Sequence, residues 1–491
     1  MSITPQTVAD DRQLERFGYR PRYLRTLRSF ESFAIGFSFI SITTGVFIGF
    51  GFVLNTAGPA GIWTWLIALV GQTLIALICA ALAAKFPLSG YHYQWGTRLA
   101  NPIVGWWLGW LGITYLTVVV ISVDYAFVQS ALQPMFGLTY TPTSAAVLTF
   151  VTVAVQAALI IWSTPITNRI NNAAVVFEVV GIVELAIVLL SAALLAGRGN
   201  WANLTSTGVV PEAGWFRWLG PFMLAATLGA YNLVGFESAA NFSEETQDPR
   251  RAAPRAMIRA VVLSGVLGFI LLAALAIAVG DVKATSGDAS PVAFVLADVL
   301  GPSIEKIFLA FICVSIFCCG LVCMVTGSRL AWAMARDGRL PGHQLIARVP
   351  SATRGPTWAT MLVAVACVLL VLSLAGNPQA LLNLVAASTL LPAILYTGIV
   401  LTYVVSAREL ALEPGLFHLG RWEKPVIAGA LLWLAYEFVI MLGPAQFRTA
   451  QAYNAGVIVL GLVAFALTWL LNPEVMRSSR ADHETLPTRR R

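Results

Sequence analysis

Two long apolar segments of the chain are interrupted in their middles by polar and small residues, about 190 positions apart. The first reads ESFAIGFSFISITTGVFIGFGFVL, with Ser41, Thr43, Thr44 and Gly45 clustered inside it. The second reads FMLAATLGAYNLVGFESAANF, with Tyr231, Asn232, Gly235, Glu237 and Ser238 clustered in the same way. A bilayer core offers no water, so a crossing helix satisfies its backbone groups internally. A break at mid-depth frees several N–H and C=O groups, which is tolerated only where they are buried in protein or line a cavity. Paired breaks in corresponding positions of two halves point to the substrate site of a transporter.

The composition fits that setting: 58% of the 491 residues are hydrophobic and 11% are charged, against about 25% charged in a soluble domain. Twelve apolar stretches approach the ~20 residues needed to cross a bilayer, the third being long enough to tilt. The predicted class is an all-α polytopic membrane protein. Expected boundaries are a polar, mobile N-terminal tail over 1–28, a transporter domain over 29–473, and a C-terminal tail over 474–491. Lys and Arg concentrate in the tails and alternate loops, which puts both termini in the cytoplasm. The net charge of +7 then reflects loops facing an anionic leaflet, and no nucleic-acid partner is expected. A full-length span follows the polar N-terminus, so no cleaved leader is expected. The six cysteines lie in apolar spans and read as packing residues, with no polar setting for a metal. No P-loop, HExxH or GxSxG constellation appears, so no enzyme and no cofactor are expected.

Four pieces, in order, carry a family resemblance: AGPAGIWTW before the second span, LAAKFPLSGYHYQWGTRLANPIVGWWLGW after it, GFESAANFSEETQDPRRAAPRA at the sixth, and RDGRLP after the eighth. Together they make the chain resemble the amino acid–polyamine–organocation (APC) superfamily, in its bacterial amino acid/choline permease branch. The resemblance implies a LeuT-type fold with broken helices 1 and 6. Two inverted five-helix repeats would cover about 30–197 and 217–405, with two peripheral helices over 424–471.

The first break, Ile42-Thr43-Thr44-Gly45-Val46, would present N–H groups at the start of a half-helix, the end that attracts anions. A substrate carboxylate is the expected occupant, the plain alternative being a Gly-kinked packing helix. The second break spans Tyr231, Asn232, Gly235 and Phe236 and would present carbonyls and an aromatic face to an ammonium group. The resemblance makes Phe236 an aromatic gate over the substrate; otherwise these rings only pack. Intramembrane acids are functional candidates by default. Glu178, in INNAAVVFE, falls where sodium-independent relatives hold a lysine beside the first helix. A carboxylate there would take up a proton or bind a cation, or else bond helix to helix. Asp124 and Glu237 are further coupling or charge candidates, each with a structural alternative. Glu184 faces another side of its helix, and Glu437 reads as structural. The family reading makes Glu244 and Glu245, with Arg250 and Arg251 nearby, an intracellular gate in which the acids pair with a basic residue such as Arg28. The bland reading is a solvated loop. His92 lies in an inside loop and is uninformative.

The expectation is therefore a multi-pass secondary transporter of the plasma (inner) membrane. It would carry amino acids or related amines by alternating access, rocking spans 1, 2, 6 and 7 as a bundle. The coupling ion would be H+, with Na+ as the alternative, or substrates would exchange. Rival readings are an organic-cation transporter for choline or a polyamine, and a non-transporting sensor on the same fold.

Overall fold

The computed structural model describes residues 5–477 except 22, 24, 163, 196, 198, 351–354, 378 and 407–414; most of the expected C-terminal tail therefore lies outside the described residues. After a short helix α1 (Pro5–Arg16), the first span forms two helices, α2 (Ser29–Ile40) and α3 (Ile42–Ala57). There follow α4 (Thr64–Lys85), α5 (Tyr91–Leu99), α6 (Pro102–Phe127), α7 (Pro142–Trp162) and α8 (Thr164–Leu195). The sixth span is cut into α9 (Pro221–Ala225), α10 (Thr227–Asn232) and α11 (Ser238–Asn241). Then come α12 (Pro249–Ala278), α13 (Pro291–Leu300), α14 (Pro302–Arg336), α15 (Thr357–Leu374), α16 (Ala380–Ser406), α17 (Glu423–Leu442) and α18 (Arg448–Leu471). Among the described residues, eleven helical segments are long and apolar enough to cross a membrane. The twelfth expected span fails that test because no piece of it reaches the required length.

Its pieces run antiparallel to the first span. At one end the Trp215 indole donates to the Ala57 carbonyl (2.9 Å). At the other, Leu27 N–H donates to Glu245 O (3.0 Å) and Gln247 N–H to Leu27 O (2.9 Å), a short bridge of main chain. Between these ends the pairing is close. A Cβ at Gly45 would overlap the Asn232 amide, so glycine is what lets the two broken spans touch there. The register brings the two breaks to one depth.

The described residues of the N-terminal segment pack against the bundle. Asp10 accepts from the Asp248 N–H (2.9 Å) and Asp11 accepts from Arg25 Nε (2.9 Å). Tyr19 donates to Asp337 (2.8 Å), and Leu14, Tyr19 and Leu88 form a small buried cluster. Burial beside the Asp337 carboxylate pushes the Tyr19 hydroxyl up to about 12, so it stays a donor. The Asn472 amide donates to Gly338 O (3.1 Å), one residue on from Asp337. Both ends of the described chain thus meet on one side of the bundle. On the other side α13 lies over the first span, with Pro291 against Gly51 and Ser290 Oγ donating to Ser130 O (2.9 Å).

Candidate functional site

The first break is narrower than expected and lies one residue earlier. Only Ser41 leaves the helix, at φ 36° and ψ 95°, a conformation costing about 1–3 kcal/mol unless the surroundings hold it. Ile42, Thr43, Thr44, Gly45 and Val46 are the first five residues of α3 rather than unwound chain. What holds the break is Glu178 of α8. Its Oε1 accepts from Ser41 Oγ (2.9 Å), Thr43 Oγ1 (2.9 Å) and the Thr43 N–H (3.2 Å). Ser315 of α14 closes the cluster, its hydroxyl 2.6 Å from Thr43 Oγ1. Glu178 is 4% exposed. This acid therefore stands beside the first span, and its partners there are hydrogen-bond donors. The positive end of α3 already meets a carboxyl group belonging to the protein.

The second break runs from Leu233 to Glu237; Tyr231 and Asn232, expected inside it, end α10 as helix. Gly235 sits at φ +84° with the Phe39 ring packed where a side chain would be, so this position requires glycine. The Asn232 Nδ2 is buried without a hydrogen-bond partner and its amide lies against Gly45 at the start of α3. Tyr231 reaches the other way, its hydroxyl 3.0 Å from Ser122 Oγ on α6. Phe236 does not stand as a free gate: it is fully buried, stacked on Tyr396 at 5.7 Å and 18°.

Glu237 is the acid that the second break organises. Tyr396 Oη accepts from the Gly235 N–H (3.1 Å) and donates to Glu237 Oε2 (2.8 Å). On the other oxygen, His92 Nε2 stands 3.6 Å from Oε1. Sequence reasoning misses His92. It lies in α5, between the second and third spans, and is fully buried; burial holds the imidazole below its ordinary pKa, against the pull of Glu237. The aromatic run YHYQW is the available signal, since Tyr91, Tyr93 and Trp95 are buried around it. Asp124 is not brought to the breaks. It accepts from Gln156 Nε2 of α7 (2.8 Å) and packs on Gly320 of α14. Two residues along a helix turn by about 200°, so Asp124 faces away from Ser122 and the second break. Glu184 is exposed on the bundle surface, and Glu437 accepts from Gln72 (2.8 Å).

The gate acids are buried, not solvated, and their partners differ from expectation. Glu245 binds Arg329 of α14 through both oxygens (2.6 and 3.2 Å), and Glu244 binds Arg336 of the same helix (2.9 Å). Arg28 is exposed and takes no part; its backbone N–H caps onto Glu31 (3.0 Å). Three residues earlier, Arg25 is buried and donates to the carbonyls of Ser243 (3.0 Å) and Thr246 (2.9 Å). Arg250 donates to Ala84 O (2.9 Å) and Arg251 pairs with Asp248 at an exposed site (3.6 Å). From sequence the arginines of α14 read as loop residues, and their reach back to the acids is invisible in one dimension. Among the described residues no group of His, Cys, Asp and Glu could hold a metal ion.

The profile of the family described as amino acid permease matches residues 27–465. The chain is 28% identical over 480 residues to an uncharacterized amino-acid permease of Schizosaccharomyces pombe, covering 94% of this chain and 87% of that one. It is 26% identical over 500 residues to the amino-acid permease BAT1 of Arabidopsis thaliana, covering 96% of each. It is 25% identical over 484 residues to amino-acid permease 2 of Neurospora crassa, covering 95% and 88%. These relatives are fungal and plant, so the expected bacterial branch finds no support in them.

Proposed function

The chain belongs to the amino acid permease family within the APC superfamily, and we propose that it carries a small zwitterionic amino acid by alternating access, one proton travelling with it on Glu178. It is a transporter rather than an enzyme. The observation that carries the proton reading is the burial of the Glu178 carboxyl against the start of α3, beside Ser41 and Thr43. A substrate carboxylate seeks the same helix end. Two carboxylates about 5 Å apart repel by about 3 kcal/mol at an effective dielectric of about 20. A proton on Glu178 removes that repulsion, and by reciprocity bound substrate favours the proton. The amide of Asn232 and backbone carbonyls of the second break, such as those of Leu233 and Val234, would supply the polar contacts for carboxylate and ammonium. The setting is the plasma membrane, with the terminal side cytoplasmic, because the basic residues collect there. The paired breaks support two inverted repeats, with α17 and α18 outside them.

Glu178→Gln mimics the protonated form. In proteoliposomes it should keep substrate exchange and lose accumulation driven by an inward proton gradient. A variant that still concentrates substrate in response to the gradient removes Glu178 from the coupling. Wild type that ignores the pH gradient but follows sodium makes the carboxylate a sodium ligand.

A further inference from the structure

An open apolar groove of about 740 Å³ runs between α2 and α12 on the bundle surface. Phe30 and Phe33 form one wall, and Val262 and Val266 the other, with Arg259 at its mouth. The two helices meet beneath it, where Gly36 packs on Ala260. From Arg259 to the far end of α12 is 19 residues, about 28 Å of helix, close to the ~30 Å of a bilayer's hydrocarbon core. Arg259 therefore stands at the headgroup boundary with the groove below it in the acyl region. Arg255, one turn further out, and Arg28, at the entry to α2, are exposed on the same side. Neither Arg255 nor Arg259 has an acidic partner among the described residues. Glu31, three residues from Arg28, is turned onto the Arg28 backbone N–H.

We propose that this groove seats one anionic phospholipid, its phosphate on Arg255 and Arg259 and an acyl chain between the Phe and Val walls. The charge is what selects the occupant. Bilayer lipid of any kind fills an apolar groove, but unpaired arginines at its mouth favour an anionic headgroup by about fivefold for each basic residue. The seat also matters to transport. α2 is disjoined from α3 at Ser41, and a lipid spanning α2 and α12 ties the inner half of the first span to the seventh.

The test uses purified full-length protein in detergent, titrated with phosphatidylglycerol or phosphatidylcholine, with bound lipid read by native mass spectrometry. Wild type should retain phosphatidylglycerol in preference to phosphatidylcholine. Arg255→Gln/Arg259→Gln should lose that preference about 25-fold, Val262→Trp should lose retention of both lipids, and Arg421→Gln should behave as wild type. In vesicles, phosphatidylglycerol should change the uptake rate of wild type and leave the double variant unaffected. Equal retention of the two lipids by wild type, or an unchanged preference in the double variant, overturns the proposal. So does inorganic phosphate displacing the lipid as well as phosphatidylglycerol does, which would mark a free-anion site.

Discussion

Replacing Glu245 by Gln should open the terminal side of the protein, and replacing Arg329 as well should close it again. The pair is bidentate, at 2.6 and 3.2 Å, with side chains 7% and 2% exposed. Its guanidinium lies 4.3 Å over the Phe242 ring, so little water reaches the charge. Removing one partner of such a pair costs about 3–5 kcal/mol, because the other charge is left buried and uncompensated. A conformation in which α11 and α14 separate lets Arg329 reach water and escapes most of that cost. At the lower figure the population ratio moves about 150-fold toward the open state. Glu245→Gln/Arg329→Gln removes both charges, and replacing a whole buried pair is often close to neutral. The reporter is Ser238→Cys on α11, a fully buried position whose hydroxyl has no partner. Its labelling by a membrane-impermeant maleimide applied from the terminal side should be slow in the parent, fast with Glu245→Gln, and slow again in the double variant. Equal labelling of single and double variants would refute the argument, since the pair would then not be what holds the side closed.

Gly45→Ala should lower thermal stability by about 1–3 kcal/mol through overpacking against Asn232, and adding Asn232→Ala should recover most of that loss; a Gly45→Ala protein that melts like wild type contradicts the close approach. Tyr19→Phe removes a hydrogen bond to a carboxylate, worth about 1.5–3 kcal/mol. Because the Tyr19 pKa is raised to about 12 from 10.0, that contribution should be constant below pH 10 and fade between about 10 and 12, as chemical denaturation across pH would reveal. His92 is held neutral by burial, so the native state takes up fewer protons than the unfolded chain as pH falls below about 6.5. Wild type should therefore lose stability from pH 7 to 5 more steeply than His92→Gln, and parallel melting curves for the two would dispose of this role.

What can be read from the sequence is whatever depends on local chemistry. Long apolar runs give helices, and a Ser-Thr-Gly cluster inside one gives a break; its position is off by one because Ser41 alone changes conformation while Thr43 to Val46 resume the helix at once. Glu178 is found because the motif fixes its distance along α8. Partners across the bundle are not legible. Arg28 and Arg25 differ by three residues, and only the folded chain shows that Arg25 is the buried one. Glu244 and Glu245 choose arginines 92 and 84 positions away, a choice set by how α11 and α14 pack. His92 looks like a loop residue until α5 folds inward beneath the second break.

The bridge between Leu27 and the segment around Thr246 makes the inner ends of the two broken spans a clasp that is blind to side chains. Any stroke that exposes the path between them must either break both amide hydrogen bonds or carry the two half-helices together as one lever. Deuterium uptake distinguishes these cases. If the lever moves intact, the Leu27 and Gln247 amides remain protected throughout turnover while their surroundings exchange. If the clasp opens, those two protons are lost at the rate of the transport cycle itself, and the backbone becomes its own clock.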